Sequence, residues 1–186
     1  MHTTNIANSA VGRFLITFLA FQAAWFACIL GAAHGTPALG IAAVLAAVAL
    51  QLAMSSARSH DAALIASALV IGLAWDSAMA RAGIVTYASP GPFPAWAPAW
   101  ILALWALFAT LLREPLRWLH GRWWLTAIIG GVSGALSYLG AVRLGAGSFP
   151  DQTLAMLVLG AGWAVITPLL IELARRLCAR ERALAD

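Results

Sequence analysis

Ala62–Ala80 reads AALIASALVIGLAWDSAMA, an apolar run long enough to cross the hydrocarbon core of a bilayer as one helix, with a single acid, Asp76, inside it. Five runs of the same kind flank it: Phe14–Ala33, Ala38–Met54, Trp96–Leu112, Trp123–Val142 and Thr153–Leu173. The 186 residues are 62% hydrophobic and only 10% charged. A soluble domain carries roughly 25% charge, so a water-soluble globule is excluded. Six helices of about 20 residues leave only short loops, none long enough to bury a core of its own. The sequence therefore predicts one all-α domain over residues 1–186, a polytopic transmembrane helical bundle of six spans.

The breaks between the runs carry turn chemistry. They are His34 to Pro37, Ser55 to Asp61, a Gly and Pro cluster from Gly83 to Pro94, Arg113 to Arg122, and Gly145 to Asp151. Pro37 suits the first turn of the second helix, and Asp61 suits the start of the third, as cap or first-turn acid facing the helix dipole. The first run follows a single Arg13 but is longer than the roughly 7–15 apolar residues of a cleavable signal, so it is expected to stay as a span. Gly72 with Trp75 is echoed by Gly160 with Trp163, but the same offset does not align the other helices, and the chain is read as non-repetitive.

Every basic residue apart from histidine is an arginine. With the N-terminus inside, Arg13, Arg58, Arg113, Arg117, Arg122, Arg175, Arg176, Arg180 and Arg182 fall on the inner side, and only Arg81 and Arg143 on the outer. The positive-inside rule then predicts that both termini are cytoplasmic. Arginines confined to loops make no basic face, which excludes nucleic acid as a partner. Between Arg113 and Trp124, Leu116, Trp118 and Leu119 alternate with arginines and predict a short interfacial helix. Cys28 and Cys178 are expected at opposite membrane faces, hence as free thiols.

Asp76 is the only acid well inside a predicted span, and such residues face protein or water, not lipid. Arg81, five positions on, lies off its helical face, so Arg143 at the outer end of the fifth helix is the expected partner. Two readings stay open: a buried pair locking two helices, or a functional carboxylate. The second cluster runs through Tyr87, Pro90, Pro92, Phe93, Pro94, Trp96, Pro98, Trp100 and Trp105. An interfacial aromatic belt accounts for Trp96, Trp118, Trp123 and Trp124, but Trp75, Trp105 and Trp163 are predicted deeper, where an indole needs a partner or a ligand. Gly130 and Gly134 have the spacing that lets helices approach closely, with Ser137 and Tyr138 as the polar part of the same helix. Gln22, Trp25 and Gln51 suggest hydrogen bonds between helices, Thr167 with Pro168 a kink, and Glu172 a pair with Arg175 or Arg176. His2, His34, His60 and His120 are scattered, and no Cys or Ser is followed by a base, so the sequence points to no metal site, no nucleophile and no cofactor.

Trp75-Asp76-Ser77, Tyr87 with its Pro-rich loop, Ala97-Pro98-Ala99-Trp100 with Leu104, Trp105 and Phe108, and Ser137-Tyr138 with Gly140, Ala141, Arg143, Leu144, Gly145 and Ala146 together resemble a family of small multi-pass bacterial inner-membrane proteins of unknown function. The resemblance extends to Gln22 and Trp25 and implies a lipid context, because genes of that family often lie near fatty-acid-modifying enzymes. The tryptophan-rich sensory protein family is similar in size and composition, but it has five spans where six are read here.

The leading expectation is an outer-leaflet cavity lined by Asp76, Tyr87, Trp100, Trp105, Tyr138 and Arg143 that holds a membrane lipid or other apolar molecule, with Arg143 taking an anionic headgroup. The alternatives are a lipid- or isoprenoid-modifying enzyme with Asp76 as its acid, Trp100 and Tyr138 stabilising positive charge, and a structural accessory subunit partnered by a lipid-modifying enzyme.

Overall fold

The computed structural model describes residues 10–93 and 95–185. His2 and Pro94 lie outside the described residues, as do the side chains of Arg13, Arg180 and Arg182. In chain order the elements are α1 (Ala10–Ala33), α2 (Pro37–Met54), α3 (Arg58–Arg81), β1 (Thr86–Tyr87), α4 (Ala99–Ala109), a single 3-10 turn (Arg117–Leu119), α5 (Trp123–Arg143), β2 (Gly147–Ser148) and α6 (Gln152–Ala185). Within them Phe14–Ala33, Pro37–Met54, Arg58–Arg81, Trp123–Arg143 and Gln152–Ala179 are long and apolar enough to cross a membrane. Leu39, Val70, Leu157 and Leu169 are exposed while Asp76, Thr126 and Thr167 are buried. This inversion of the water-soluble pattern suits a surface that meets lipid tails.

The first hairpin is tight because Gly35 turns the chain at a φ of 73° and Pro37 opens α2 in its first turn. Gly40 has no side chain to hold the helices apart: a Cβ there would stand 2.5 Å from the Cys28 backbone. Thr17 donates to the Gln51 side chain at 2.8 Å, so the expected polar link runs between α1 and α2. From that hairpin the packing order continues from α2 to α4, from α4 to α3, from α3 to α6, and from α6 to α5. Cys28 and Cys178 are free thiols, Cys28 fully buried in α1.

The fourth apolar run differs from expectation. Trp96–Leu112 is α-helical only over Ala99–Ala109, a rise of about 15 Å. Pro115 has no N–H to continue the helix and disfavours helical backbone at Glu114, and the chain tightens before it into three-residue turns at Thr110, Leu111 and Leu112. Instead of facing lipid, this segment is wrapped by its neighbours: Trp100, Ile101, Trp105, Leu107 and Leu112 are all buried. The interfacial helix expected near Trp118 shrinks to the 3-10 turn, with Leu119 buried and Trp118 half exposed.

Each end of the bundle is tied by a specific contact. At one end β1 pairs antiparallel with β2, Thr86 opposite Ser148 and Tyr87 opposite Gly147, and Ala88 donates to the Ala146 carbonyl at 3.0 Å. At the other, Arg113 bonds Asp61 at 2.8 Å and the Ser55 hydroxyl at 2.9 Å. Burial depresses the Arg113 pKa, and the bond and charge of Asp61 outweigh this and leave it raised. Asp61 sits in the first turn of α3 as expected, but its carboxylate is spent on Arg113 and not on capping the helix. The segment from α4 to Arg113 therefore runs from one end of the bundle to the other.

Candidate functional site

Asp76 lies on α3, one turn above Gly72 and fully buried. Its carboxylate accepts three hydrogen bonds: from the Tyr87 hydroxyl at 2.5 Å and the Tyr138 hydroxyl at 2.6 Å on Oδ1, and from the Trp105 indole at 2.6 Å on Oδ2. Three donors from three other elements meet on one side chain, so a single carboxylate orients β1, α4 and α5 against α3. Ser77, next in sequence, accepts from the Ala97 backbone N–H at 3.0 Å and fixes the approach to α4.

Arg143 does not meet Asp76. It is exposed at the end of α5 and makes no ion pair among the described residues, and the donors on Asp76 are neutral. The expected pairing fails because α5 turns Tyr138, five residues earlier and on another face, toward α3. Among the described residues, the buried acid and arginine pair is Asp61 with Arg113, at the opposite end of α3.

Small residues make slots for the indoles. A Cβ on Gly72 would collide with the Trp105 ring, one on Gly134 with the Trp163 ring, and one on Gly162 with the Trp75 ring. Gly130 receives the Thr167 side chain and the backbone at Trp163. The expected close packing of α5 thus holds, with Trp163 and Thr167 of α6 as the inserted groups. Trp105 and Trp163 stack at 4.8 Å, Phe108 meets Trp163 edge-on at 5.2 Å, and Tyr87 meets Trp100 edge-on at 5.6 Å. The Trp100 indole donates to the Ser89 carbonyl at 2.9 Å. Trp75 keeps a buried indole N–H without a hydrogen-bond partner among the described residues. Trp96, by contrast, is half exposed and lies 5.2 Å from the Arg81 guanidinium.

A cavity of about 600 Å³ opens beside this cluster. Its walls come from α1 (Phe21, Gln22, Trp25), α4 (Trp100, Leu104, Trp105, Phe108), α5 (Gly134, Ser137, Tyr138, Ala141) and α6 (Trp163, Thr167). It reaches from Val85, Tyr87 and Gly147 near the paired strands to Leu116 and Leu119 near the other end of the bundle. Tyr87, Trp100, Trp105 and Tyr138 line it. Asp76 and Arg143 do not: Asp76 stands behind the two phenols, and Arg143 follows the lining residue Val142 at the rim. An acid role for Asp76 would have to act through Tyr87 or Tyr138. Sequence reasoning singled out Gln22 and Trp25, and the family resemblance took in Leu104 and Ala141, but Phe21 has no signal beyond membership of an apolar run.

No curated protein and no solved structure matches the chain. The family model described as "protein of unknown function (DUF2878)" matches residues 14–169, which take in the Asp76 cluster, the cavity and both paired strands, and the chain belongs to that family.

Proposed function

We propose that this protein is a multi-pass inner-membrane protein with both termini cytoplasmic, which holds a lipid or other apolar molecule in the cavity between α1, α4 and α5. The observation that carries the reading is the cavity itself. Its volume falls in the range of about 300–1,000 Å³ typical of small-molecule sites, and an apolar wall with few polar groups is the usual make-up of such sites. Support comes from the Asp76 cluster, which spends a buried carboxylate on holding three lining residues in place, an arrangement that favours a preformed pocket.

Six membrane-crossing segments agree with the end-to-end course of α4 and the turns after it, since the pairing of β1 with β2 places the loops before α4 and before α6 at the same end. The arginine asymmetry favours that end as the outer one.

The test is mass spectrometry of lipids retained by gently purified protein, compared with Ala141→Trp, which inserts a ring into the cavity, and Trp96→Ala, which removes a half-exposed ring outside the cavity lining. A lipid retained by the wild type and by Trp96→Ala but lost from Ala141→Trp is the expected result. Equal retention by all three, or none by any, removes the binding reading and favours the accessory-subunit alternative, which a stable complex with a lipid-modifying enzyme would support.

A further inference from the structure

Among the described residues, no charged side chain lines the cavity. Asp76, which stands behind the two phenols of that wall, already accepts three hydrogen bonds. A charged group bound inside would therefore be buried without a counter-ion, which is far more costly than burying a neutral polar group.

The hydroxyl and amide groups on the wall fall into two sets. Tyr87 and Tyr138 are committed to Asp76, and Ser133 donates to the Ile129 carbonyl at 2.7 Å. The Thr167 oxygen is sealed against Gly130. The Gln22 amide on α1 and the Ser137 hydroxyl on α5 have no protein partner among the described residues.

These two groups stand at one level. Gly140 of α5 faces the Trp25 ring of α1, a Cβ there lying 3.5 Å from it, and Gly145 beyond the end of α5 faces Ala33 at the same distance. The helices therefore run parallel and close on each other toward the end where the strands pair. Gln22 precedes Trp25 by three residues and Ser137 precedes Gly140 by three, so both lie about one turn inward of the contact that closes the gap. Beyond them, apart from Ser133 and Thr167, whose hydroxyls are bonded within the helix or sealed against Gly130, the wall is apolar down to Leu116 and Leu119.

We propose that the cavity takes an uncharged lipid whose single hydroxyl or carbonyl group bonds Gln22 and Ser137 across the gap between α1 and α5, its apolar body lying along α4 toward Leu116. This inference rests on the cavity reading above and narrows it. An amide and a hydroxyl each offer a donor and an acceptor, so they serve an alcohol or a carbonyl equally well. A carboxylate or phosphate would have to stay at the rim, where Arg143 is exposed.

The experiment uses three brominated probes of one chain length, a long-chain alcohol, the matching fatty acid at a pH where it is ionised, and the matching alkane. Each is titrated against the tryptophan fluorescence of the full-length protein in uncharged detergent. The alcohol should quench with at least about tenfold higher affinity than the acid. Gln22→Leu and Ser137→Ala should each weaken the alcohol by about tenfold, the worth of one hydrogen bond, and leave the alkane unchanged. Since neither side chain bonds the protein, both variants should keep the wild-type circular dichroism spectrum.

Quenching by the alkane alone, by the acid as strongly as the alcohol, or by the alcohol in both variants as strongly as in the wild type overturns this inference while leaving the cavity reading intact. Absence of quenching by any of the three probes overturns both.

Discussion

Tyr138 on α5 donates to Asp76 on α3 at 2.6 Å, across 62 positions of chain, and so draws a cavity wall onto a carboxylate that the cavity itself does not reach. Tyr87 and Trp105 converge on the same carboxylate from β1 and α4. Asp76 thus acts on the site through the residues it positions.

Asp76→Ala leaves three donors without their acceptor, two of them in fully buried contacts, and each lost partner costs about 1–3 kcal/mol. Tyr138→Phe removes one donor and leaves Asp76 two. Unfolding by SDS titration from mixed micelles should show Asp76→Ala as much the more damaging, with Tyr138→Phe near 1 kcal/mol in order of magnitude. Equal losses would mean that the three bonds do not act on one acceptor.

Arg143→Ala should move that same transition by less than about 0.5 kcal/mol, as for an exposed side chain without partners. Arg113→Met should cost about 3–5 kcal/mol because it strands Asp61 as a buried charge, and adding Asp61→Leu should restore a good part of it. A large effect at Arg143 that vanishes in an Asp76 variant would restore the pairing read from the sequence.

Gly72→Ala and Gly162→Ala each place a methyl group inside an indole, Trp105 and Trp75 respectively. Overpacking of this kind typically costs about 1–3 kcal/mol. Gly83→Ala has open space around it and should cost less, with strain at its φ of 67° as its main penalty. The order of the three midpoints in the SDS titration checks the slots directly.

Reporter fusions should place Thr36, Pro90 and Ser148 outside, and Ser59, Leu119 and Ala185 inside. The informative position is Leu119, because α4 is the one helix too short to span alone. A Leu119 reporter on the same side as the Pro90 reporter would mean that the α4 segment does not cross.

Five long spans, the tight α1–α2 turn and the membrane character were legible in the sequence because they depend on local quantities: the length of an apolar run, the missing N–H of Pro37, the turn at Gly35. Asp76 and Trp105 were legible as chemically expensive residues at depth, since an acid or a polar aromatic is kept inside a bilayer only with a partner, and Tyr87, Trp100 and Tyr138 as candidates from the outer aromatic cluster and the polar face of the fifth helix. Which partner each found was not. Arg143 and Tyr138 lie five residues apart on α5, so a rotation of that helix decides which of them meets α3, and the rotation is set by Trp163 and Thr167 of α6 entering the slots at Gly134 and Gly130. The same holds for α4, whose apolar run reads as one more span, while its burial by the surrounding helices is visible only in the packing. Composition measures what a segment can tolerate around it, whereas the choice between lipid, a neighbouring helix and an open cavity is made by shapes contributed from elsewhere in the chain.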